Sequence, residues 1–556
     1  MDNSISKDRL LSPHLAIVIG GIAVRIIFWL LYPPIWKSYS VFIPLRGSAL
    51  SYMAGFQSYH PLRMPFYDVA AAVFFLPTEG LLGIKAVTLF SLIVSCVGVV
   101  AFNLGARKLF SDRIGLYATV MFAFYPKFVI MTARGIPEAA AISIIGCMFY
   151  PLAIGFETGR SRYFLVSGVA ALFAYLMYMP AVLVGIVTTL YLYVRHQNET
   201  TGFLPELKTA AFALPSFIVG VLYLIYGPLS VALSATTGSA IGFGSRPLFI
   251  NSYGVIEKSV RYVGYTFIDF WWHQRGWDAE NHIFERIGSI ADLLGILFIP
   301  AAIFWISVVV MLTGLVFAGI AALYRQKTPE TLWLFSWLIV FVILYNGKNI
   351  GWVGAFMTRQ VSPILPAICI VFGVGAATLY DRYSGRLSNF QSSQGPFSVP
   401  KTLSVFFVCC LFLSLLAVGG VHGSFTASDA SDTQNEIREV RQAVGPDDQI
   451  GVVDSYSYYR TVLYSNGELW PTVFLTPEEL EQDTLYFSSL ADIQSQEDMD
   501  RSGVRYVYIL KKCDGFDSNQ QALIDSAPAI EFEHEIQSTG CNTKSVLLDM
   551  DSDSTE

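Results

Sequence analysis

The chain has 556 residues, of which 53% are hydrophobic and 14% are charged, and its formal net charge is −7. Soluble domains carry about 25% charged residues, so this composition excludes a single soluble globular domain. The charge is also uneven, because residues 425–556 hold 26 acidic and 8 basic side chains and the remainder is net basic.

Apolar runs long enough to cross a bilayer recur from residue 11 to about residue 421. About 20 apolar residues in a helix cross ~30 Å of hydrocarbon, and backbone exposed to lipid must pair its own hydrogen-bonding groups. The first run is longer than a signal-peptide core, so we interpret it as a retained helix. We predict eleven spans, at residues 12–34, 85–105, 114–131, 139–156, 163–179, 181–195, 209–227, 297–323, 331–345, 361–379 and 403–420.

Two stretches leave other interpretations open. Residues 64–80 are apolar, and we interpret them as a helix on the membrane surface, because a further span would place the basic loops on opposite sides. Residues 163–194 fit two short spans that turn at Tyr178–Pro180, and they also fit one long kinked helix.

Positively charged side chains occupy every second short loop. Lys and Arg accumulate in cytoplasmic loops, so these loops and the N-terminus are predicted to lie inside the cell. The basic residues concerned are Lys7, Arg9, Arg107, Lys108, Arg113, Arg160, Arg162, Arg195, Lys208, Arg325, Lys327, Arg382, Arg386 and Lys401. The outer segments are then residues 35–84, 132–138, 178–180, 228–296, 346–360 and the part of the chain after residue 421.

The acidic C-terminal part alternates helix and strand patterns. Asp432–Val444 predicts a helix, Gln449–Val453 and Val504–Leu510 predict strands, and Thr476 is an N-cap residue followed by proline and two acids. We therefore expect a transmembrane domain over residues 1–424 and a small extracytoplasmic α/β domain over residues 425–556.

The acidity of this domain bears on its partners, and its two cysteines bear on a disulfide. Its net charge of −18 disfavours nucleic acid as a partner and suits a salt-rich exterior as well as an ordinary acidic exodomain. Cys513 and Cys541 can form a disulfide outside the cell, or they can be free thiols.

Several ionisable side chains fall at the predicted outer membrane surface. Glu138 opens a span in the sequence Arg134-Gly-Ile-Pro-Glu. An ionisable residue at a helix mouth indicates function, and a carboxylate that stabilises a helix N-terminus is the alternative. The first outer loop adds His60, Arg63 and Asp68 among aromatic residues.

Two later outer loops suggest ligand binding. Arg359, with Lys348 before it, could bind a phosphate at the bilayer surface, although long basic side chains also extend to the surface without a ligand. Loop 228–296 places aromatic rings beside polar groups, which suits sugar recognition or an interfacial aromatic belt. The residues of that loop are Trp271, Trp272, His273, Trp277, Asp278 and Glu280.

The histidines of that loop, His273 and His282, do not have the spacing of a known metal site, so we do not expect a metal or another cofactor. The sequence contains no Walker loop and no GxGxxG motif that opens a helix after a strand. These absences disfavour ATP-driven transport and the use of nucleotide sugars.

The order and the sidedness of these motifs resemble the GT-C superfamily of polyprenyl-phosphate-sugar glycosyltransferases. The motifs that carry the resemblance are His60-Pro-Leu-Arg-Met-Pro-Phe-Tyr, the basic turn from Ala106 to Gly115, Tyr125-Pro126, Pro137-Glu138, and Arg359 followed by Pro363 and Pro366. Within that superfamily the chain is similar to archaeal enzymes that transfer mannose from dolichyl phosphate to surface glycans.

The resemblance implies that a base deprotonates an acceptor hydroxyl, which attacks the anomeric carbon of a lipid-phosphate sugar. The family's acid in the first outer loop is missing, because residues 35–67 contain no Asp or Glu. Glu138 is then the first candidate base, with Asp68 and His60 as contenders, and Arg359, Lys348 or Arg63 would hold the phosphate. A lipid or glycan transporter, or a non-catalytic assembly factor, is the alternative.

Overall fold

The computed structural model describes residues 13–31, 66–82, 85–199, 204–226, 298–326, 328–345, 363–388 and most of 435–550. In the last range it leaves out residues 446–447, 454–456, 459–460, 462–464, 466–468, 470, 477–492, 513–515, 517 and 539–540. The described residues form two compact units. One contains residues 13–30 and those from 91 to 388, and the other contains residue 31, residues 66–90 and those from 435 to 550.

Helices occupy the predicted spans up to residue 379, and the predicted span 403–420 lies outside the described residues. The helices are α1 (Pro13–Leu31), α2 (Phe66–Leu82), α3 (Ala86–Leu109), α4 (Asp112–Phe124), α5 (Pro126–Ala133), α6 (Pro137–Thr158), α7 (Ser161–Met177), α8 (Val182–Glu199), α9 (Leu204–Tyr226), α10 (Phe298–Gln326), α11 (Pro329–Tyr345) and α12 (Leu365–Ser388).

By length and composition, four described helices could each cross a membrane: Pro13–Leu31, Thr88–Leu109, Pro137–Thr158 and Leu365–Arg382. Shorter apolar helices include Ser161–Met177, Val182–Arg195 and Pro329–Phe341. The interpretation of residues 163–194 as two helices is confirmed, since a 3₁₀ turn at Met179–Ala181 separates α7 from α8. Residues 64–80 are helical as α2, and their position on the membrane surface stays a prediction.

The predicted continuous span 114–131 is wrong in one respect. It is divided into α4 and α5 at Tyr125, which has an extended conformation (φ −62°, ψ 113°). Pro126 follows, and proline both lacks an N–H group and disfavours helical geometry at the residue before it.

Glycines allow the helices of the first unit to approach closely. A Cβ atom on Gly319 of α10 would collide with the Val371 carbonyl of α12, and one on Gly375 would collide with the Leu315 carbonyl of α10. Association of helices in lipid depends on van der Waals contact between small residues rather than on a hydrophobic driving force. The α10–α12 interface therefore depends on Gly319 and Gly375.

Ion pairs join the helices at one end of this unit, which we call the basic end. The pairs are Lys108–Glu157 (2.5 Å), Arg195–Glu330 (2.5 Å), Arg107–Asp112 (2.7 Å) and Arg113–Asp381. The Arg195 guanidinium also lies 4.0 Å from the centre of the Phe156 ring, beside Glu157. The ion-paired residues at the end of α3, the start of α4, the end of α8 and near the end of α12 thus meet at one end, and the cytoplasmic assignment of that end stays a prediction.

The C-terminal residues form a six-stranded sheet in the order β3-β2-β1-β4-β6-β5. The strands are β1 (Ile450–Val452), β2 (Thr472–Leu475), β3 (Ile493–Ser495), β4 (Tyr506–Lys512), β5 (Ala529–Ser538) and β6 (Cys541–Asp549). Strands β1 to β4 run parallel to one another, whereas β6 runs antiparallel to both β4 and β5.

Two predicted strands are confirmed. Strand β1 lies within the predicted range 449–453, β4 overlaps the predicted range 504–510, and the two strands pair directly. The predicted helix Asp432–Val444 is helical over its described residues 435–443, and the segment after Thr476 lies outside the described residues. The core of the sheet includes Phe474, Val507, Ile509 and Leu548. The boundary at residue 424 also falls outside the described residues and stays a prediction.

The packing of α10 on α12 can be tested with two glycines of the same helix. We expect Gly319→Ala to lower the melting temperature in detergent, because its methyl group would collide with backbone. We expect Gly314→Ala to leave it unchanged or raise it, since no described atom lies within 4 Å of a Cβ at Gly314 and alanine favours helix by about 1 kcal/mol. Equal effects of the two substitutions would contradict this packing.

Candidate functional site at the turn between α5 and α6

The break between α4 and α5 leaves backbone carbonyls without helical partners. Pro126 has no N–H for the Phe122 carbonyl, and the extended Tyr125 turns the following N–H groups away from the end of α4. Phe122 and Ala123 are fully buried. An unsatisfied carbonyl in an apolar interior costs several kcal/mol, so these groups need another donor.

Arg25 of α1 supplies that donor. Its side chain is completely buried, with 0% exposure. One terminal nitrogen donates to the Ala123 carbonyl and, at 3.1 Å, to the Gly21 carbonyl, and the other donates to the Phe122 carbonyl at 3.1 Å. The positive charge lies at the C-terminal, negative end of the α4 dipole and 4.8 Å from the centre of the Phe128 ring.

The same guanidinium is linked to the far end of α5. Its Nε donates to the Ser95 hydroxyl of α3 at 2.7 Å, and that hydroxyl is hydrogen-bonded with the Thr132 hydroxyl at 3.1 Å. Arg25, Ser95 and Thr132 are all buried. This buried chain links both ends of α5 to α1 and α3, and the Thr132 hydroxyl also bonds to the Phe128 carbonyl within α5 at 2.8 Å.

A tight turn then joins α5 to α6. Gly135 has a φ of +63°, the left-handed conformation that favours glycine. The Gly135 N–H donates to the Thr132 carbonyl at 3.0 Å and the Ile136 N–H donates to the Met131 carbonyl at 3.1 Å, which is the Schellman arrangement. Pro137 starts α6, where its missing N–H has no helical acceptor to bond.

This turn places two ionisable side chains in a buried position. Arg134 ends α5 and is 8% exposed, and Glu138 lies in the first turn of α6 and is 4% exposed. The positive end of the α6 dipole stabilises the Glu138 carboxylate. Ionisable groups are costly to bury at a membrane, so their presence here indicates a functional site.

The α6–α7 hairpin places the 3₁₀ turn after α7 at the same end of the bundle as Glu138. The Ser167 hydroxyl of α7 donates to the Met148 carbonyl of α6 at 3.0 Å. Glu138 lies ten residues before Met148, and Met177 lies ten residues after Ser167. Because the two helices are antiparallel, Glu138 and Met177 lie at the same height along them. The 3₁₀ turn that begins at Met179 therefore lies at the same end as Glu138, about 30 Å along α6 from Glu157 and the basic end.

The chain is similar to known proteins in both sequence and fold. A family model described as dolichyl-phosphate-mannose-protein mannosyltransferase matches residues 68–223. No curated protein sequence matches significantly. ArnT from Cupriavidus metallidurans in the apo state is similar in structure, with 13% identity and a TM-score of 0.56 over 96% of this chain and 98% of that chain.

Two further structures are similar. The same ArnT bound to undecaprenyl phosphate matches with 12% identity and a TM-score of 0.55, over the same shares of the two chains. The apo oligosaccharyltransferase of Archaeoglobus fulgidus matches with 11% identity and a TM-score of 0.50, over 89% of this chain and 69% of that chain. The chain is therefore similar to that mannosyltransferase family over residues 68–223, and it shares the fold of ArnT and of the archaeal oligosaccharyltransferase. Four described helices that could each cross a membrane agree with a multi-pass membrane protein.

The structure describes only some of the predicted site residues. Arg134 ends α5 and Glu138 lies in the first turn of α6, on the two sides of one tight turn, and their functional role stays a prediction. Asp68 is the third residue of α2, and its side chain lies outside the described residues. The remaining candidates also lie outside them and stay predictions: His60, Arg63, Lys348, Arg359, Trp271, Trp272, His273, Trp277, Asp278, Glu280 and Cys513, together with the side chain of Cys541.

Metal ligands and thiols can be assessed in the part of the chain that is described. There, no group of three or more His, Cys, Asp or Glu side chains could hold a metal ion. Cys96, Cys147 and Cys369 are free thiols in helices, in agreement with their position in apolar runs.

Arg25 is the residue that the sequence interpretation missed. A signal was present, because a lone arginine in the middle of a predicted span is unusual and indicates a specific partner or function. Its partners could not be inferred, since they are carbonyls nearly one hundred positions away in the chain.

Two glycines at opposite ends of α6 test the role of the turn. Gly135 (φ +63°) and Gly159 (φ +67°) are both left-handed, so alanine at either position should destabilise the protein by about 1–2 kcal/mol. We expect similar losses of melting temperature for the two variants and a loss of sugar transfer only for Gly135→Ala, which lies beside Glu138. A comparable loss of transfer in Gly159→Ala would contradict the location of the site.

Proposed function

We propose that this protein transfers a sugar, with mannose the first candidate, from a polyprenyl-phosphate donor to a glycan or lipid-linked acceptor. The reaction takes place at the extracytoplasmic membrane surface and serves protein glycosylation. The observation that carries the proposal is the buried Glu138, held with Arg134 at one end of the bundle. The name of the matching family model supports mannose, and the undecaprenyl phosphate of the similar ArnT supports a lipid-phosphate donor.

The reaction would be a single displacement. A carboxylate accepts the proton of an acceptor hydroxyl as the oxygen attacks the anomeric carbon and the bond to the phosphate oxygen breaks. The leaving group is the polyprenyl phosphate itself, so the bond energy comes from the donor and no nucleotide is needed. Inversion at the anomeric carbon follows from one displacement.

Glu138 is our first candidate for the base. Residues 35–67 contain no carboxylate, so a base from the first outer loop would have to be His60, or Asp68 just beyond it. Glu138 comes first because it is buried in the first turn of α6, at the turn that also carries Arg134. Arg134, four residues earlier, would help to hold an anionic group at the same turn.

The other binding functions are assigned from the sequence. Arg359, Lys348 and Arg63 would hold the donor phosphate, since guanidinium groups offer two parallel donors to phosphate oxygens. The aromatic and acidic residues of the loop from Trp271 to Glu280 would contact the acceptor or the transferred sugar.

The proposal is tested by transfer of labelled mannose from dolichyl-phosphate mannose to a lipid-linked glycan, with the purified protein in nanodiscs. We expect Glu138→Gln to lower kcat by about 10²–10⁴-fold, the usual contribution of a general base. Glu157→Gln, at the basic end of the same helix, should stay within about twofold of wild type, because its carboxylate only pairs with Lys108.

Parallel assays of Asp68→Asn and His60→Ala identify the base if Glu138 is not the residue. A loss confined to one of these variants would move the base to the first outer loop. If the wild-type protein transfers no sugar from any polyprenyl-phosphate donor, the chain is a non-catalytic relative and the proposal fails.

Sidedness is tested by labelling engineered cysteines with a membrane-impermeant maleimide in intact cells. Ser502→Cys in the C-terminal domain should react, whereas Thr158→Cys at the exposed basic end should react only after lysis. Labelling of Thr158→Cys in intact cells would reverse the topology. In the otherwise unchanged protein, labelling of Cys513 and Cys541 only after reduction would indicate that they form a disulfide.

A further inference from the structure

We propose that Arg25 is a positioning residue for sugar transfer: it holds α5 at both ends and so orients the turn that carries Arg134 and Glu138. This inference rests on the proposed function of that turn. Arg25 itself contacts neither Arg134 nor Glu138 through any described hydrogen bond or ion pair, and its effect is exerted through backbone and hydroxyl groups.

The first link is at the start of α5. A continuous helix through residue 125 would direct α5 along the axis of α4, and the break at Tyr125 changes that direction. The break is stable only if other donors reach the carbonyls that it exposes. The two terminal nitrogens of Arg25 donate to the Phe122 and Ala123 carbonyls, and an arginine is suited to this because its planar fork presents several donors at once.

The second link is at the end of α5. Through Ser95, Arg25 is connected to the Thr132 hydroxyl, and the Thr132 carbonyl accepts the N–H of Gly135 in the turn. The direction of α5 and the position of its last residue thus depend on one side chain. Loss of that side chain should let the α5–α6 turn move while the rest of the bundle stays packed.

The third observation concerns the place of Arg25 in the bundle. Close packing at Gly21, where a Cβ atom would lie 2.7 Å from the Ala123 Cβ, brings α1 directly against the end of α4. The guanidinium reaches its acceptors from within this contact. In the described residues no carboxylate forms a salt bridge with Arg25, so its acceptors are backbone carbonyls and one hydroxyl, which is the arrangement expected of a group that supports a broken helix.

The test compares Arg25→Lys, Arg25→Met and Thr132→Val with the wild type in nanodiscs. The matched control is Arg195→Met, which removes an arginine from an interhelical ion pair at the basic end. Hydrogen exchange is followed in peptides covering residues 126–138 and, as an internal reference, residues 150–165. Transfer kinetics are measured with dolichyl-phosphate mannose at varied donor and acceptor concentrations.

For Arg25→Met we expect exchange at least about tenfold faster in residues 126–138 and unchanged in residues 150–165. We expect kcat to fall about tenfold to hundredfold with the donor KM within about threefold, because a displaced base slows the chemical step more than donor binding. Arg25→Lys should show smaller changes in exchange and in kcat than Arg25→Met, since an ammonium group can still donate to some of the same acceptors. Thr132→Val should also show faster exchange in residues 126–138 and a lower kcat, with smaller changes than Arg25→Met. If Arg25→Met does not fold, Thr132→Val provides the test.

Three results would overturn the inference: unchanged exchange in residues 126–138 of Arg25→Met, an equal rise in residues 150–165, or an equal fall of kcat in Arg195→Met. The exchange measurement needs no activity. If wild-type transfer is absent while Arg25→Met still loosens residues 126–138, the proposed function fails and the structural part of the inference stands.

Discussion

The hydrogen bonds of the Arg25 guanidinium in an apolar interior are the constraint on which the candidate site depends. A helix can break inside a membrane only where other groups replace its lost hydrogen bonds. Here the break follows from Pro126, and the replacement comes from a side chain of the first helix. The charge is tolerated because several oxygen acceptors and the negative end of a helix dipole surround it.

This constraint connects the fold to the proposed chemistry. The break gives α5 its own direction, and the left-handed Gly135 reverses the chain into α6. The reversal buries Glu138 at the positive end of α6, where a carboxylate is stabilised and sheltered from water. A buried carboxylate at a helix mouth is what a single-displacement sugar transfer requires of a base.

The two ends of the bundle have different roles. At the basic end, exposed ion pairs such as Lys108–Glu157 join neighbouring helices, and pairs of this type contribute little stability individually. At the opposite end, the described residues Arg134 and Glu138 are buried on the two sides of one turn.

The sequence by itself determined where most of the described helices lie, the α/β character of the C-terminal part and the candidacy of Glu138, because hydropathy, strand patterns and helix-start residues are local properties. The tertiary structure alone decided that Arg25 serves the break at Tyr125 and that Arg134 and Glu138 are buried. Those facts arise from contacts between segments about one hundred residues apart, such as Arg25 with Ala123, and hydropathy patterns contain no information on which distant carbonyl a buried guanidinium will reach.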